Sequence, residues 1–202
     1  MTLSQQLLGI LAYGSLIDEP GDELAGHITR IVRNITSPVA VEFARKSLSR
    51  GNGPTLVPYA DGAYVKSAIL LLDCSIREAT DMLWRRETRT LDTGRGYPGA
   101  RVDQPNAVRI AIFSNTLGCE TLLYTSIAAN IEPLDPNHLA ALAIASVGKA
   151  KLGLDGISYL ITARANGIVT KLSQDYEAAI LQQTGTASLE QAREKLGGRS
   201  LD

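Results

Sequence analysis

One acidic side chain, Glu87, is predicted to lie on the side of a helix that faces the protein interior. Ser75 and Glu78 have the spacing of a capping box, which predicts a helix from Ser75 to about Arg89. At about 100° per residue, Glu87 falls on the mainly apolar stripe of this helix, whose members are Ile76, Ala79, Thr80 and Leu83. The neighbouring arginines 85, 86 and 89 are predicted to point elsewhere.

A carboxylate on a buried helix face must be paired, neutral or placed at the edge of a cavity, because burying an unpaired charge is costly. A neutral carboxyl group, or one at a cavity edge, is suited to general acid–base catalysis. Glu87 is therefore the first candidate catalytic residue. Two alternatives stay open at this stage: Glu87 lies in the last helical turn and emerges into solvent, or it pairs with an arginine.

A second candidate is the turn that follows the first predicted strand, with Tyr13, Gly14, Ser15 and Leu16 in succession. Such a turn can offer backbone N–H groups to an anionic ligand atom, and Gly14 lets a ligand approach closely. The alternative is an ordinary turn at a strand end. A nucleotide or phosphate site here is disfavoured, because no Gly-Lys follows the turn.

Three further side chains are weaker candidates. Arg50 lies in a loop with glycines on its C-terminal side and could bind a carboxylate with two hydrogen bonds. Tyr97, in a glycine-rich stretch, and Tyr124, in a late predicted strand, could each point a hydroxyl into a site. The alternatives are a solvated surface arginine and core tyrosines with satisfied hydroxyls.

Histidine and cysteine are scarce, with two of each in 202 residues. His27, His138, Cys74 and Cys119 are too widely spaced to form a zinc site. By elimination, carboxylates are expected to carry any chemistry, and no metal site is expected. Two isolated cysteines are typical of a reducing compartment.

The composition is that of a globular protein, with 45% hydrophobic and 20% charged residues. A formal net charge of −1 gives no electrostatic reason to bind nucleic acid or an anionic membrane. The N-terminal segment lacks a basic region, and no apolar run approaches the ~20 residues of a membrane span. We therefore expect a cytoplasmic protein; the sequence indicates no particular oligomeric state.

The first half of the chain is predicted to be mainly strands and the second half mainly helices. Strands are predicted at Leu7–Tyr13, Val39–Leu48, Pro54–Tyr59 and Ala63–Cys74, with Asp61-Gly62 as a hairpin turn between the last two. A second hairpin is predicted to turn at Leu117-Gly118 between Ala107–Ser114 and Thr121–Ala128. The order indicates an α+β fold with an antiparallel or mixed sheet or barrel.

Three helices are predicted in the second half, each with a recognisable end signal. They run from Asp135-Pro136 to about Leu152, over Gly156–Ala165, and from Ser173 to near Gly185. Residues 188–202 form a polar C-terminal tail, for which helix and irregular structure both stay open. We expect one domain over residues 1–187.

An ordered series of short motifs resembles the gamma-glutamylcyclotransferase-like superfamily, including its ChaC-type members. The series comprises Tyr13–Leu16, the strand-turn-strand of Val57–Asp73, Trp84–Glu87, Tyr97, Leu123–Ser126, Tyr159–Gly167 and Tyr176-Glu177. The match spans about residues 8–182, and the order and spacing make the set more specific than any one motif.

The resemblance implies an α+β fold in which helices flank a mixed, barrel-like sheet. It also implies release of 5-oxoproline from a small gamma-glutamyl peptide or amine, such as glutathione, without a cofactor. In that reaction Glu87 would be the general acid/base, and the turn at Tyr13–Leu16 would bind the gamma-glutamyl group. Arg50, Tyr97 and Tyr124 would be further substrate-binding residues.

The alternative function is a non-catalytic small-molecule-binding or interaction protein of the same fold. It is motivated by Ile17–Gly21, which lacks the aromatic residue expected in the ChaC-type group. The enzymatic function requires Glu87 and the Tyr13–Leu16 turn to share one pocket, because the carboxylate must reach a bound substrate.

Overall fold

The computed structural model describes residues 7–100, 104, 107–150 and 153–197. The strands are β1 (Leu8–Ala12), β2 (Ile28–Ser47), β3 (Gly53–Pro58), β4 (Ala63–Leu72), β5 (Arg109–Thr116) and β6 (Cys119–Ser126). The helices are α1 (Asp22–Ala25), α2 (Ile76–Thr88), α3 (Pro136–Val147), α4 (Gly156–Ala165), α5 (Ser173–Thr184) and α6 (Leu189–Gly197).

The chain divides into two compact units, which are Met1–Ser37 with Ser67–Ala128, and Pro38–Lys66 with Ala129–Asp202. The expectation of one domain over residues 1–187 stays a prediction. Within the expected C-terminal tail, α6 is formed and buries Leu189 and Ala192; residues 198–202 lie outside the described part of the chain.

The first unit is built around β1, whose five residues are all buried. β1 pairs with β4 in antiparallel orientation and with β6 in parallel orientation, and β5 pairs with β6 in antiparallel orientation. The predicted α+β class with a mixed sheet is therefore confirmed. The hairpin of β5 and β6 turns at Leu117 and Gly118, which both have positive φ angles, as predicted from the sequence.

Helix α2 brings its C-terminal end to the edge of the sheet where β1 ends. Because Leu72 of β4 is opposite Leu8 of β1, β4 ends where β1 begins. The predicted capping box of Ser75 and Glu78 is present and starts α2 just after that edge. The 13 residues of α2 span about 20 Å, which is enough to run back along β5 and β6 to the opposite edge.

The second unit pairs the C-terminal half of β2 with β3 and packs α3 and α4 against β3. Its core contains three aromatic side chains, since the Phe43 ring meets the rings of Tyr159 and Tyr176 edge-on. Helix α5 packs against α3, and α6 packs against α4 and α5. In both units, helices thus pack against β-strands.

The predicted hairpin at Asp61-Gly62 is wrong. Gly62 N–H does donate to the Tyr59 carbonyl, so the chain turns there, but β3 and β4 are not neighbours, because β2 lies between them. A Cβ on Gly62 would lie 2.3 Å from the Val41 carbonyl oxygen of β2. Glycine is therefore needed for close passage beside β2, a cause that the local turn pattern does not reveal.

Two element lengths also differ from the predictions. Strand β2 covers Ile28–Ser47, whereas the alternation of apolar residues predicted only its second half. Helix α3 ends at Val147, because Gly148–Ala150 form a turn, and the predicted end at Leu152 lies outside the described residues. Within the described ranges, no helix is both long and apolar enough to cross a bilayer.

Candidate active site

The turn after β1 is formed by Gly14, Ser15 and Leu16 as one turn of 3-10 helix. Gly14 has a φ angle of 62°, which is strained for residues with a side chain, so the sequence needs glycine at this point. Tyr13 precedes the turn in an extended conformation. As the first residues of a helical turn, Gly14 and Ser15 have N–H groups without a partner inside that turn.

A single arginine, Arg86, contacts both this turn and Glu87. Its Nη1 lies 2.6 Å from Glu87 Oε1, and its Nη2 lies 3.3 Å from Ser15 Oγ. The Arg86 and Glu87 side chains are 19% and 16% exposed. Of the alternatives for Glu87, the structure therefore shows pairing with an arginine. The same arginine, Arg86, also contacts the turn.

The segment between the turn and α1 fixes the Arg86 side chain. Both Nε and Nη2 of Arg86 donate to the Glu19 carbonyl, at 3.2 and 2.8 Å. Gly21 lies beside the aliphatic stem, since a Cβ added there would be 3.4 Å from Arg86 Cγ. We call Ser15, Glu19, Arg86 and Glu87 the arginine cluster. The two hydrogen bonds to the Glu19 carbonyl fix the orientation of the Arg86 guanidinium plane.

The prediction that Arg85 and Arg86 point away from the packed face is wrong. Arg85 is 8% exposed and binds Glu23 with two nitrogens, while its Nη1 donates to the Arg95 carbonyl at 2.9 Å. The Glu23 carboxylate raises the pKa of Arg85 above its ordinary value. The prediction considered only the direction in which each residue projects from the helix axis. A long arginine side chain can reach well beyond that position on the helix surface.

Tyr97 is held by α2 and by β5. Its backbone N–H donates to Asp81 at 2.7 Å, its hydroxyl accepts the Ile110 N–H at 3.2 Å, and its ring lies 6.4 Å from that of Trp84. Trp84 is buried. These contacts fix the glycine-rich stretch to the helix that carries Glu87, and none of them is with the arginine cluster.

Tyr124 and Tyr13 lie along the same edge of the first unit. The Tyr124 ring stacks on Phe113, with centroids 4.7 Å apart. The Tyr13 hydroxyl donates to the carbonyl of Thr125, the next residue after Tyr124, at 3.3 Å. Because β1 and β6 are parallel, their C-terminal ends meet at one edge, and this edge carries the Tyr13–Leu16 turn.

No protein-family model matches the chain, and no curated protein matches it in sequence. Among solved structures, it is similar to a crystal structure of the gamma-glutamyl cyclotransferase specific to glutathione from yeast. The TM-score is 0.52 at 14% identity, over 88% of this chain and 99% of that chain. The chain has the gamma-glutamylcyclotransferase-like fold. A selenomethionine-labelled crystal structure of such a yeast protein gives a TM-score of 0.38 at 14% identity, over 96% and 97% of the two chains.

The family resemblance of the ordered motifs is thus confirmed at the level of the gamma-glutamylcyclotransferase-like fold. In this fold the first unit brings together Gly14, Ser15, Leu16 and Glu87, with Tyr13, Tyr97 and Tyr124 fixed to neighbouring elements. Arg50 belongs to the second unit. Its guanidinium lies 4.6 Å from the Tyr159 ring centroid and donates to the Leu154 carbonyl at 3.4 Å. A substrate-binding role for Arg50 stays a prediction.

Neither cysteine has the lowered pKa that a nucleophilic thiol needs. Burial raises the pKa of both Cys74 and Cys119, and for Cys74 the nearby carboxylates of Glu78 and Asp73 raise it further. A nucleophilic cysteine needs a lowered pKa, because the thiolate is the reactive form. Among the described residues, no group of three or more His, Cys, Asp or Glu could hold a metal ion.

Sequence reasoning missed Arg86 and the Glu19 carbonyl. Adjacent helical residues do not normally face each other, so an Arg86–Glu87 contact has no periodic signal. The sequence feature that could have indicated this contact is local: two consecutive arginines immediately precede the candidate carboxylate near the end of the helix. The Glu19 carbonyl has no signal in the sequence at all, because any residue there would supply the same backbone oxygen.

Proposed function

We propose that this protein is a gamma-glutamylcyclotransferase-type enzyme, which releases 5-oxoproline from a gamma-glutamyl peptide or amine. The observation that carries the proposal is the shared arginine, since Arg86 contacts both Ser15 of the turn and Glu87 of α2. A carboxylate for proton transfer and a turn for substrate binding are therefore within reach of one small molecule. The gamma-glutamylcyclotransferase-like fold supports the same reaction class.

The reaction needs one proton acceptor and no cofactor. The α-amino group of the substrate attacks the γ-carbonyl carbon, so a new C–N bond closes the five-membered ring. Glu87 accepts the proton that this nitrogen loses and returns it to the leaving nitrogen as the γ-amide C–N bond breaks. The products are 5-oxoproline and a free amine, and no water is consumed.

The two oxygens of Glu87 have different roles in this mechanism. Oε1 accepts the hydrogen bond of Arg86, which orients the carboxylate. Oε2 is the oxygen that takes the proton. The first N–H groups of the Tyr13–Leu16 turn bind the gamma-glutamyl group, because donors that are fixed in advance stabilise developing negative charge at little reorganisation cost. Holding the substrate in a folded conformation contributes further, since the reaction is intramolecular.

The test is a 5-oxoproline assay with a panel of gamma-glutamyl compounds, beginning with glutathione, on the purified protein and on Glu87→Gln. We expect the variant to lose about 10²–10⁴-fold in turnover, the usual contribution of a general acid–base group. The matched control is Glu194→Gln, which removes a carboxylate from an exposed position on α6. Circular dichroism and melting curves establish that both variants fold.

Two results would contradict the proposal. Near wild-type turnover of Glu87→Gln would exclude Glu87 as the general acid/base. Calorimetric binding of gamma-glutamyl compounds without any 5-oxoproline would favour the alternative of a non-catalytic binding protein.

A further inference from the structure

The arginine cluster holds a positive and a negative side chain in direct contact at the candidate site. We propose that this pair receives the free α-amino acid end of the substrate, with the α-carboxylate bound by Arg86 and Ser15 and the α-amino group by Glu87. The inference rests on the proposed function and deepens it, because it makes Arg86 the residue that selects gamma-glutamyl compounds with a free α-carboxylate.

The guanidinium of Arg86 is held in a fixed orientation. Arg86 is anchored to the Glu19 carbonyl through both Nε and Nη2, so the plane of the fork is fixed without the help of Glu87. Nη1 contacts Glu87, and Nη2 also reaches Ser15 Oγ. A planar fork in a fixed position, with a hydroxyl beside it, matches the two oxygens of a carboxylate.

The charges of Arg86 and Glu87 complement those of an α-amino acid over a short distance. In an α-amino acid end, the ammonium and carboxylate groups are attached to the same carbon. The Arg86 and Glu87 charges are adjacent in the same way, with 2.6 Å between Nη1 and Oε1. When the amino group lies at Glu87, as the proton transfer requires, the carboxylate of the same carbon can reach Arg86, which is in contact with Glu87.

The Arg86–Glu87 pair is largely shielded from solvent. Both side chains are less than one-fifth exposed, so solvent screens them less than it screens a surface ion pair. A ligand that brings one charge of each sign leaves the net charge of the site unchanged. A ligand that has lost its α-carboxylate charge places an unbalanced ammonium group there, and the site should reject it.

The experiment compares gamma-glutamylalanine with the analogue whose glutamyl α-carboxylate is replaced by a carboxamide. We expect the wild-type protein to prefer the carboxylate by about 10–100-fold in kcat/KM, the range for hydrogen bonds to a charged group. Arg86→Gln should lower kcat/KM for the carboxylate substrate by this factor more than for the carboxamide, so that the preference disappears; any loss common to both substrates reports the orientation of Glu87 by Arg86. Arg86→Lys should keep part of it, because the charge remains but the fork is lost.

The matched control is Arg89→Gln, which removes the same charge from an exposed position three residues further on and should leave the preference unchanged. If Arg86→Gln lowered both substrates equally, Arg86 would have a structural role and the inference would be overturned while the proposed function stood. If Arg86→Gln failed to fold, Arg86→Lys would decide, since an unchanged preference in that variant would also overturn the inference.

Failure of the proposed function is distinguished by a binding measurement that needs no turnover. If no gamma-glutamyl compound yields 5-oxoproline, calorimetry compares L-glutamine with L-glutaminamide, which differ in the α-carboxylate. Preferential binding of glutamine that is lost in Arg86→Gln would support the recognition proposed here. Equal binding of the two compounds to the wild-type protein would overturn it.

Discussion

The two compact units hold an acidic side chain in different ways. In the first unit, Glu87 is 16% exposed and its described partner is another side chain, Arg86. In the second unit, Glu42 is 1% exposed and both of its oxygens accept backbone N–H groups. Oε1 accepts from Phe43 at 2.9 Å, and Oε2 accepts from Leu172 at 3.3 Å.

The difference separates a structural carboxylate from one that is available for chemistry. Backbone donors are part of the fold, so the hydrogen bonds of Glu42 join β2 to the segment before α5. Both carboxylate oxygens of Glu42 are therefore engaged in the structure. A side-chain donor can change partner when a ligand arrives, so Glu87 keeps that freedom. Two arginines show the same contrast, since Arg50 is 8% exposed against the Tyr159 ring, whereas Arg86 lies at the Gly14–Leu16 turn.

The largest expected difference is between Glu42→Gln and Glu87→Gln. An amide at position 42 must place its NH2 group against a buried N–H donor, so we expect it to lower the free energy of unfolding by about 3 kcal/mol. Gln at position 87 can still accept from Arg86, so we expect a change of about 1 kcal/mol or less. Urea unfolding measures both, and equal losses would remove the contrast between the units.

A smaller effect is expected where the backbone supports the arginine cluster. Gly21 has φ 85° and ψ 153°, a conformation that is almost restricted to glycine. Gly21→Ala should cost about 1–2 kcal/mol and should also lower activity, because the residue lies against Arg86.

Gly26→Ala is the matched control, since Gly26 has a helical φ of −65° and room for a methyl group at 3.7 Å from its nearest neighbours. Denaturation and activity assays compare the two variants. Loss of stability without loss of activity in Gly21→Ala would show that the backbone here does not position Arg86.

The sequence predicted those parts of the molecule that depend on neighbouring residues. The capping box at Ser75 and the turn at Leu117-Gly118 were predictable because their partners lie within three residues. The Asp61-Gly62 hairpin was not, because the turn signal indicates a change of direction but does not say which strand will pair. For the candidate site, the sequence predicted Glu87 and the turn, but not Arg86, whose contact depends on how α2 meets the segment after β1.

A third prediction distinguishes the stability of the helix that carries Glu87 from the catalytic role of Glu87. Ser75 starts the helix that carries Glu87, and loss of this cap in Ser75→Ala should lower the melting temperature by about 2–4 °C. Activity at 25 °C should be unchanged, because the cap lies at the far end of α2. A large loss of activity would mean that the first unit positions Glu87 less firmly than its contacts indicate.

Ser75→Ala should also change the pKa of Glu78. Hydrogen bonds from Ser75 hold the pKa of Glu78 below its ordinary value. A lowered folded-state pKa gives a contribution to stability that is present at neutral pH and is lost as the pH falls through that pKa. In Ser75→Ala, NMR titration should show the pKa of Glu78 rising toward its ordinary value, and the two proteins should become more alike in stability under acid conditions.

The smallest expected effect tests how closed the interior of the second unit is. Tyr176 is fully buried, and its hydroxyl is the one buried side-chain polar atom among the described residues without a hydrogen-bond partner. Burial, and then the charge of Asp155, raise its pKa. Because the hydroxyl loses its hydrogen bonds to water on folding and gains none, Tyr176→Phe should raise the free energy of unfolding by up to about 1 kcal/mol.

Chemical denaturation with an unchanged m-value is the required measurement, since the substitution should not alter the surface exposed on unfolding. A loss of about 1 kcal/mol or more in Tyr176→Phe would mean that the hydroxyl is hydrogen-bonded, for instance to an ordered water. The interior around Glu42 and Tyr176 would then admit solvent, and the contrast with the partly buried Arg86–Glu87 pair would be one of degree.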